Sequence, residues 1–312
     1  MVVAVAAAAV IAMALGGEAL SESAYPRCFG AASRDARSPC INHALDRMVI
    51  PTPAVARTMG PPPCKPVADD EALDVCAFGT DSADPAATIA LLGDSHAEFW
   101  WHAVDPMARA ERWAGYTLVL GGCPYSTATR VLSEPLLSQC IARNDAVPGW
   151  FDRHPEVHTV FVAQISGVEW LIPPDQDQFE GQVEHYIEAW SRLPDSVTHI
   201  VVIRDTPKAE RHTRACIRRA ISKHQNAGLV CRVPRRRALT TDPAVVAARR
   251  LASKRVQVIN LTRFFCDGHW CYPVIGGALV QKDVNHLTPT FIATLSPYLQ
   301  ESVDALAAAW TG

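Results

Sequence analysis

From residue 89 onward, short runs of apolar residues alternate with longer helical stretches. The short runs predict buried strands, which lie at 89–92, 117–120, 159–163, 199–203 and 256–259. The longer stretches predict helices, at 97–111, 140–152, 179–193 and 243–253, with a last helix at 289–309. Because strand and helix alternate, we expect a central parallel sheet with helices on both faces. This is a three-layer α/β sandwich with right-handed crossovers.

The chain before residue 88 has a different character. Residues 20–87 are rich in proline, aspartate and cysteine and show little periodicity, which predicts an irregular segment pinned by disulfides. Residues 1–19 hold an apolar, alanine-rich run that ends in small residues near Ala19, as in a secretory signal peptide. No Lys or Arg precedes this run, so the alternative is the remnant of a transmembrane helix. We expect an α/β domain at 88–312.

The composition excludes several classes of protein. Of the 312 residues, 49% are hydrophobic and 20% are charged, and the formal net charge is -3. A dedicated nucleic-acid binder would need a strongly basic face, and a disordered or polytopic membrane chain would have a different balance of charged and apolar residues. The sequence has no nucleotide-binding or metal-binding signature, so we expect no cofactor, no metal and no nucleic-acid partner.

The ten cysteines occur in local pairs, and no CxxC pair typical of zinc sites is present. This spacing favours five disulfides over a metal site. Pairing each cysteine with its neighbour in sequence gives Cys28–Cys40, Cys64–Cys76, Cys123–Cys140, Cys216–Cys231 and Cys266–Cys271. Crossed pairings among the first four remain open, because spacing alone does not determine connectivity. Since disulfides persist outside the cytosol, we expect an extracytoplasmic chain that is periplasmic, secreted or membrane-anchored.

A serine directly follows the first predicted strand. The strand leads into a GDSH run at residues 93–96, and a helix begins immediately afterwards. A serine on such a turn lies at the edge of the sheet where α/β proteins place their active sites. It is also close to the N–H groups of a helix N-terminus, which favour a developing oxyanion. Ser95 is therefore a candidate nucleophile, and the alternative is that Asp94 and Ser95 only cap the helix.

A second candidate lies just before the terminal helix, in the DVNH run at residues 283–286. An Asp and a His three positions apart in a turn can meet on one side of the chain. The carboxylate of Asp283 could then bond one ring nitrogen of His286 while the other nitrogen faces a serine. The alternative is a helix-entry histidine bonded to the backbone.

Together these runs resemble the first and last motif blocks of the SGNH hydrolase superfamily. More narrowly, the chain is similar to the extracytoplasmic SGNH domain at the C-terminus of acyltransferase-3 family membrane proteins, which O-acetylate cell-surface polysaccharides. The resemblance extends over roughly residues 64 to 300 and implies a flavodoxin-like α/β fold. Further matching features lie between the two blocks: Gly122-Cys123-Pro124, Asp205-Thr-Pro207, Cys216, Cys231, Cys266-Asp-Gly268 and Cys271.

The resemblance implies a role for each matching position. Ser95 would be the nucleophile, His286 the general base and Asp283 the residue that orients the base. The oxyanion hole would take the backbone N–H groups of Ser95 and Gly122, with Gly121 as the second choice for the glycine.

The third motif block departs from the family's pattern. Many members have Gly-x-Asn-Asp after the third strand, where the Asn side chain is a further oxyanion donor, but residues 162–170 read VAQISGVEW. Gln164 or Ser166 could replace that donor, or the hole could have two donors. The Asn144-Asp145 pair precedes the strand, so it is rejected. Loss of one donor typically lowers the rate by about two to three orders of magnitude.

Two further features have open alternatives. His96 could contact the substrate or bond locally at the helix start. Arg232 and the arginines at 235–237 could meet an anionic glycan or lipid head groups, or form a solvated charged face.

We expect a serine O-acyltransferase or carbohydrate O-acetylesterase that acts on a cell-envelope polysaccharide through an acyl-serine intermediate. The partners implied are a carbohydrate and a membrane acyltransferase. The alternative is a catalytically weak or silent glycan-binding or scaffold domain serving such an acyltransferase, which the missing third-block Asn would explain.

Overall fold

The computed structural model describes residues 25–67 and 73–311, so the predicted leader at 1–19 lies outside the described residues. A seven-stranded sheet forms the centre of the molecule, accompanied by two small ribbons. The strands are β1 (Lys65–Val67), β2 (Val75–Gly79), β3 (Ala87–Gly93), β4 (Trp113–Val119), β5 (Val157–Ala163), β6 (His199–Ile203), β7 (Val233–Pro234), β8 (Val256–Ile259), β9 (Trp270–Cys271), β10 (Val274–Ile275) and β11 (Ala278–Leu279). The sheet has the order β1-β2-β4-β3-β5-β6-β8, and the ribbons pair β7 with β9 and β10 with β11.

Five neighbouring strands of the sheet run parallel, as the alternating pattern predicted. In spatial order they are β4, β3, β5, β6 and β8. Strands β1 and β2 differ, because they pair antiparallel with each other and β2 pairs antiparallel with β4. Both come from the segment predicted to be irregular, so the sheet is mostly rather than wholly parallel. No pattern revealed them because β1 has only three residues, including Pro66, and β2 does not alternate between buried and exposed positions.

Helices cover both faces of the sheet. They are α1 (Pro53–Ala56), α2 (Ser95–Ala110), α3 (Leu136–Arg153), α4 (Gln178–Ser191), α5 (Thr213–Ser222), α6 (Ala227–Val230), α7 (Arg235–Ala238), α8 (Pro243–Leu251), α9 (Pro289–Ala293) and α10 (Ser296–Thr311). The predicted terminal helix is thus divided into α9 and α10, and α5 was not predicted. Strand β4 begins at Trp113, earlier than the apolar run at 117–120 indicated.

Alternate side chains of β3 enter two separate cores, which confirms the three-layer sandwich. Ile89 and Leu91 pack in one core with residues of α2, α9 and α10, while Ala90 and Leu92 pack in the other with residues of α3, α4 and α8. All four are fully buried. Burial of a Leu or Ile side chain stabilises the fold by about 1.5–3 kcal/mol. The two cores fix the sheet between its helices and so fix the edge at which β3, β5 and β6 end.

Five disulfides join the ten cysteines between sequence neighbours, as Cys28–Cys40, Cys64–Cys76, Cys123–Cys140, Cys216–Cys231 and Cys266–Cys271. The third of these ties the loop after β4 to α3. Such cross-links constrain the unfolded chain and hold loops that have no regular structure. Among the helices at 25–67 and 73–311, none is long and apolar enough to cross a membrane.

Candidate active site

The nucleophile turn, defined as residues 93–96 with the proposed nucleophile Ser95, follows β3 and is held by Asp94. One carboxylate oxygen of Asp94 accepts the N–H of His96 at 2.8 Å, and the other accepts the N–H of Ile165 at 3.0 Å. Asp94 therefore caps α2 as one reading of the sequence suggested, and it also ties the turn to the end of β5. Burial raises the pKa of the Asp94 carboxyl. Ser95, the first residue of α2, is left free to use its hydroxyl elsewhere.

Gly93 is required where β3 passes into this turn. Its φ is +147°, and a Cβ atom added there would lie 2.0 Å from the carbonyl oxygen of Ala163 on β5. Only glycine allows this backbone approach. The serine is thus held against the end of the neighbouring strand.

The turn that carries His286 is closed by Asp283. One oxygen of Asp283 accepts the backbone N–H groups of Asn285 at 2.9 Å and His286 at 2.8 Å, while the other lies 2.8 Å from Nδ1 of the His286 ring. Burial raises the pKa of Asp283, but the hydrogen bonds from the His286 ring and from the backbone outweigh it, so the pKa lies well below its ordinary value. Asp283 is therefore ionised at neutral pH.

The two turns meet, although 191 positions separate them in sequence. Nε2 of His286 lies 2.9 Å from Oγ of Ser95. With the ring hydrogen on Nδ1, the Ser95 hydroxyl donates to Nε2 and Nδ1–H donates to Asp283. The three side chains form the hydrogen-bond chain that activates a serine nucleophile.

The loop that carries the proposed glycine donors begins beside the nucleophile turn. The N–H of Leu120 donates to the carbonyl oxygen of Gly93 at 3.2 Å, so the loop after β4 begins next to Ser95. Gly122 has a φ of +79°. Within 25–67 and 73–311, the N–H groups of Ser95, Gly121 and Gly122 donate to no protein acceptor. Their roles in an oxyanion hole remain a prediction.

Gln164 and Ser166, which follow β5, form hydrogen bonds that the sequence did not predict. Oε1 of Gln164 accepts the N–H of Tyr125 at 2.9 Å, but its side-chain nitrogen is buried without a partner in the described part of the chain. The hydroxyl and N–H of Ser166 both donate to Asp205 at 2.7 Å. Of these two candidates for the third donor, only Gln164 retains an unused donor. Asn144, which was rejected, uses its side-chain nitrogen to bind the carbonyl oxygens of Pro124 and Ser126, at 3.0 Å each.

His96, which follows Ser95, forms a second histidine–aspartate pair with Asp205. The sequence did not predict this pair. Nδ1 of His96 lies 2.6 Å from Oδ1 of Asp205, and both side chains are buried. Burial alone would lower the pKa of His96 and raise that of Asp205, but each partner's opposite charge and their hydrogen bond reverse both shifts. Both pKa shifts thus favour the charged forms of the pair. The signal that could have found it is the position of Asp205 directly after β6.

A buried arginine joins the ends of the strands that carry the site. Nη2 of Arg143, on α3, donates to the carbonyl oxygens of Gly93 at 2.7 Å and Leu118 at 2.5 Å. Burial lowers the pKa of Arg143 to about 10, which still leaves it charged at neutral pH. Arg143 thereby fixes the end of β3 relative to β4. Its only sequence signal is a charged residue on the face of α3 that is otherwise apolar.

Within residues 25–67 and 73–311, no three or more His, Cys, Asp or Glu side chains are grouped as a metal site would require. The chemistry that this arrangement can perform is nucleophilic attack by a serine, assisted by a base and by backbone N–H groups.

Comparison with known proteins adds independent observations. The sequence model of a family described as the SGNH domain (fused to AT3 domains) matches residues 63–301. Among solved structures, the fold is similar to the lipopolysaccharide acetyltransferase periplasmic domain of Salmonella ser. Paratyphi A. The TM-score is 0.55 at 12% identity, with 72% of this chain and 85% of that chain covered. At this identity the similarity shows the fold alone. No curated protein sequence matches the chain.

Proposed function

The chain belongs to the family of SGNH domains that are fused to AT3 domains, and we propose that it transfers an O-acyl group to or from a cell-envelope carbohydrate through an ester on Ser95. The observation that carries this proposal is the hydrogen-bond chain from Asp283 through His286 to Ser95, with atoms 2.8 Å and 2.9 Å apart. The family supports a general acyl-transfer or esterase role, and the triad supplies the chemistry for it.

The reaction would proceed in two similar halves. In the first, His286 takes the hydroxyl proton of Ser95 as Oγ attacks the acyl carbonyl, and Asp283 stabilises the imidazolium that forms. The N–H groups of Ser95 and Gly122 would hold the negative charge on the tetrahedral oxygen. The intermediate collapses as the leaving alcohol takes the proton from His286. In the second half, a sugar hydroxyl or water gives its proton to His286 and attacks the carbonyl carbon of the Ser95 ester. His286 then returns the proton to Oγ as the bond from Oγ to the acyl carbon breaks, which regenerates the Ser95 hydroxyl.

An extracytoplasmic location and a membrane acyltransferase partner belong to the same proposal. Five disulfides suit an oxidising compartment, and the similar solved structure is named as a periplasmic domain. The family's fusion to AT3 domains supports a membrane acyltransferase that delivers the acyl group. The name of the similar structure, a lipopolysaccharide acetyltransferase, favours acetyl as the acyl group and a surface carbohydrate as the substrate.

A Ser95→Ala variant tests the catalytic role. We expect turnover of p-nitrophenyl acetate and of an acetylated oligosaccharide to fall by about 10³-fold or more, and labelling by a fluorophosphonate to disappear. Ser222→Ala is the matched control, because that exposed serine donates only to the carbonyl oxygen of Arg219 on its own helix. Because triad members act as a unit, adding His286→Ala to Ser95→Ala should cause little further loss.

Product analysis separates the candidate activities. Acetyl found on an added oligosaccharide indicates a transferase, and acetate alone indicates an esterase. Wild-type turnover that survives Ser95→Ala would refute the proposed mechanism. A folded, oxidised wild-type protein that neither turns over nor labels would favour the silent glycan-binding alternative.

A further inference from the structure

An open groove of about 540 Å³ lies at the carboxyl end of β6, on the same edge of the sheet as Ser95. Its walls come from Arg204, the segments 234–236 and 239–242, helix α8 and the turn at 268–269. This volume falls within the range of about 300–1,000 Å³ that is typical of small-ligand sites.

The groove is lined by four arginines, namely Arg204, Arg235, Arg236 and Arg249. Arg204 donates to the carbonyl oxygens of Asp205 at 3.0 Å and Thr240 at 3.1 Å, and Arg235 donates to the carbonyl oxygen of Asp267 at 2.8 Å. Neutral carbonyls position a guanidinium without neutralising it. Across residues 25–67 and 73–311, none of the four forms an ion pair with a carboxylate. The groove therefore concentrates positive charge in a chain whose formal net charge is -3.

The carboxylate in the lining does not balance this charge. Asp242 is buried, and one of its oxygens accepts the N–H groups of Ala244 and Val245 at the start of α8. The other oxygen accepts the N–H of Asp205 at 2.8 Å. Both oxygens thus bind backbone donors inside the protein. The single negative charge of Asp242 interacts with Arg204, and the four arginines still leave the groove with a net positive charge.

Direct contacts connect the groove to the nucleophile. Oγ1 of Thr240 lies 3.0 Å from Oγ of Ser166, which donates to Asp205. Asp205 in turn holds His96, the residue that follows Ser95. Strand β5 separates β3 from β6, and two strand spacings correspond to about 10 Å. At this separation, an oligosaccharide of a few sugar units that reacts at Ser95 is long enough to reach the groove.

We propose that this groove binds an oxyanion, a carboxylate or a phosphate group, carried by the carbohydrate that reacts at Ser95. Guanidinium groups bind both kinds of oxyanion through paired, charge-assisted hydrogen bonds. Arg204 and Arg235 are held in place by backbone carbonyls, whereas Arg236 and Arg249 are exposed and can close on the ligand. The proposal rests on the proposed function for the identity of the ligand as a carbohydrate.

Isothermal titration calorimetry measures the binding of carbohydrates to the groove and does not require turnover. A failure of this inference can therefore be told apart from a failure of the Ser95→Ala activity test. The probes are tetragalacturonate and galactose 1-phosphate, with neutral galactotetraose as the reference. The test variant is Arg236→Gln combined with Arg249→Gln, which removes two exposed arginines. The matched control is Arg218→Gln combined with Arg219→Gln, which removes the same charge from two exposed positions on α5, outside the groove.

We expect at least one anionic probe to bind and galactotetraose to bind far more weakly. The groove variant should weaken anion binding by about tenfold for each guanidinium removed, and the control should change it by less than about twofold. Whichever anionic probe binds identifies the oxyanion as carboxylate or phosphate. The inference is overturned if neither anionic probe binds, or if both variants weaken binding equally. A further outcome also overturns it: vesicles containing anionic lipid bind the protein, this binding is lost in the groove variant, and neither carbohydrate probe binds.

Discussion

Replacement of Asp283 by asparagine isolates the contact between the carboxylate and the His286 ring. Asn285 and His286 donate their backbone N–H groups to one oxygen of Asp283, and the asparagine oxygen can still accept both. The amide nitrogen then takes the place of the oxygen that lies 2.8 Å from Nδ1. That nitrogen is a donor, so Nδ1 must lose its hydrogen and Nε2 must carry one. Nε2 can then no longer accept the proton of Ser95.

The magnitude follows from two competing arrangements. If the imidazole keeps the wrong tautomer, kcat falls by about 10⁴-fold, as in other triads. If the amide flips, its oxygen faces Nδ1 again, but its NH₂ group then opposes two backbone N–H donors. Loss of those two hydrogen bonds costs about 2–6 kcal/mol, and a tenfold loss of rate corresponds to about 1.4 kcal/mol. Both routes therefore place the loss in kcat between about 30-fold and 10⁴-fold, with little change in KM.

Steady-state hydrolysis of p-nitrophenyl acetate measures this loss. Asp177→Asn is the matched control, since one oxygen of Asp177 also accepts two backbone N–H groups, those of Phe179 and Glu180, but contacts no histidine. We expect the control to keep wild-type kcat, because asparagine caps helices as well as aspartate does. An Asp283→Asn enzyme with kcat within about threefold of wild type would show that the Asp283 contact does not orient the base.

Three further predictions concern the support of the site. Gly93→Ala should lower the free energy of unfolding by about 3 kcal/mol, because its Cβ would lie 2.0 Å from the carbonyl oxygen of Ala163; a denaturant midpoint equal to wild type would contradict this. Arg143→Met should lower it by about 2–4 kcal/mol, since the carbonyl oxygens of Gly93 and Leu118 both lose the charged Arg143 donor, and an unchanged urea transition would refute that role. Burial raises the pKa of Asp242 from 3.8 to about 6. Between pH 3.8 and about pH 6 the folded state therefore binds more protons than the unfolded state. The stability that protonated Asp242 contributes is lost as the pH rises through this range. The free energy of unfolding of wild type minus that of Asp242→Asn should therefore fall by about 3 kcal/mol between pH 4 and pH 7, and an equal difference at both pH values would contradict the assignment.

Short-range features explain why much of the site could be predicted from the sequence. Ser95 directly follows a strand with a clear apolar pattern, and Asp283 and His286 belong to one turn. Neither observation requires knowledge of which strands are neighbours. The family resemblance then connected the two runs, and the family model confirms that resemblance over residues 63–301. Their catalytic roles remain predictions.

Features that depend on strand order could not be predicted in this way. His96 and Asp205 are 109 positions apart and meet because β3, β5 and β6 are neighbours. Arg143 binds backbone carbonyls, which every residue offers, so no partner residue signals its role. The antiparallel strands β1 and β2 were missed for a different reason, since their residues have no clear periodicity.

The separation of 191 positions between Ser95 and His286 also bears on when, during folding, the proposed nucleophile meets its proposed base. The Asp283 turn is closed by its own backbone contacts, but its histidine reaches the serine only after the last segment of the chain docks against α2. Closing so large a loop costs more conformational entropy than closing a local turn, so the Asp283 turn can form before His286 reaches Ser95. Until then Ser95 is an ordinary alcohol without a base. If Ser95 is the nucleophile that we propose, a partly folded chain lacks the base needed to form the Ser95 ester, and that chemistry begins only with the folded molecule.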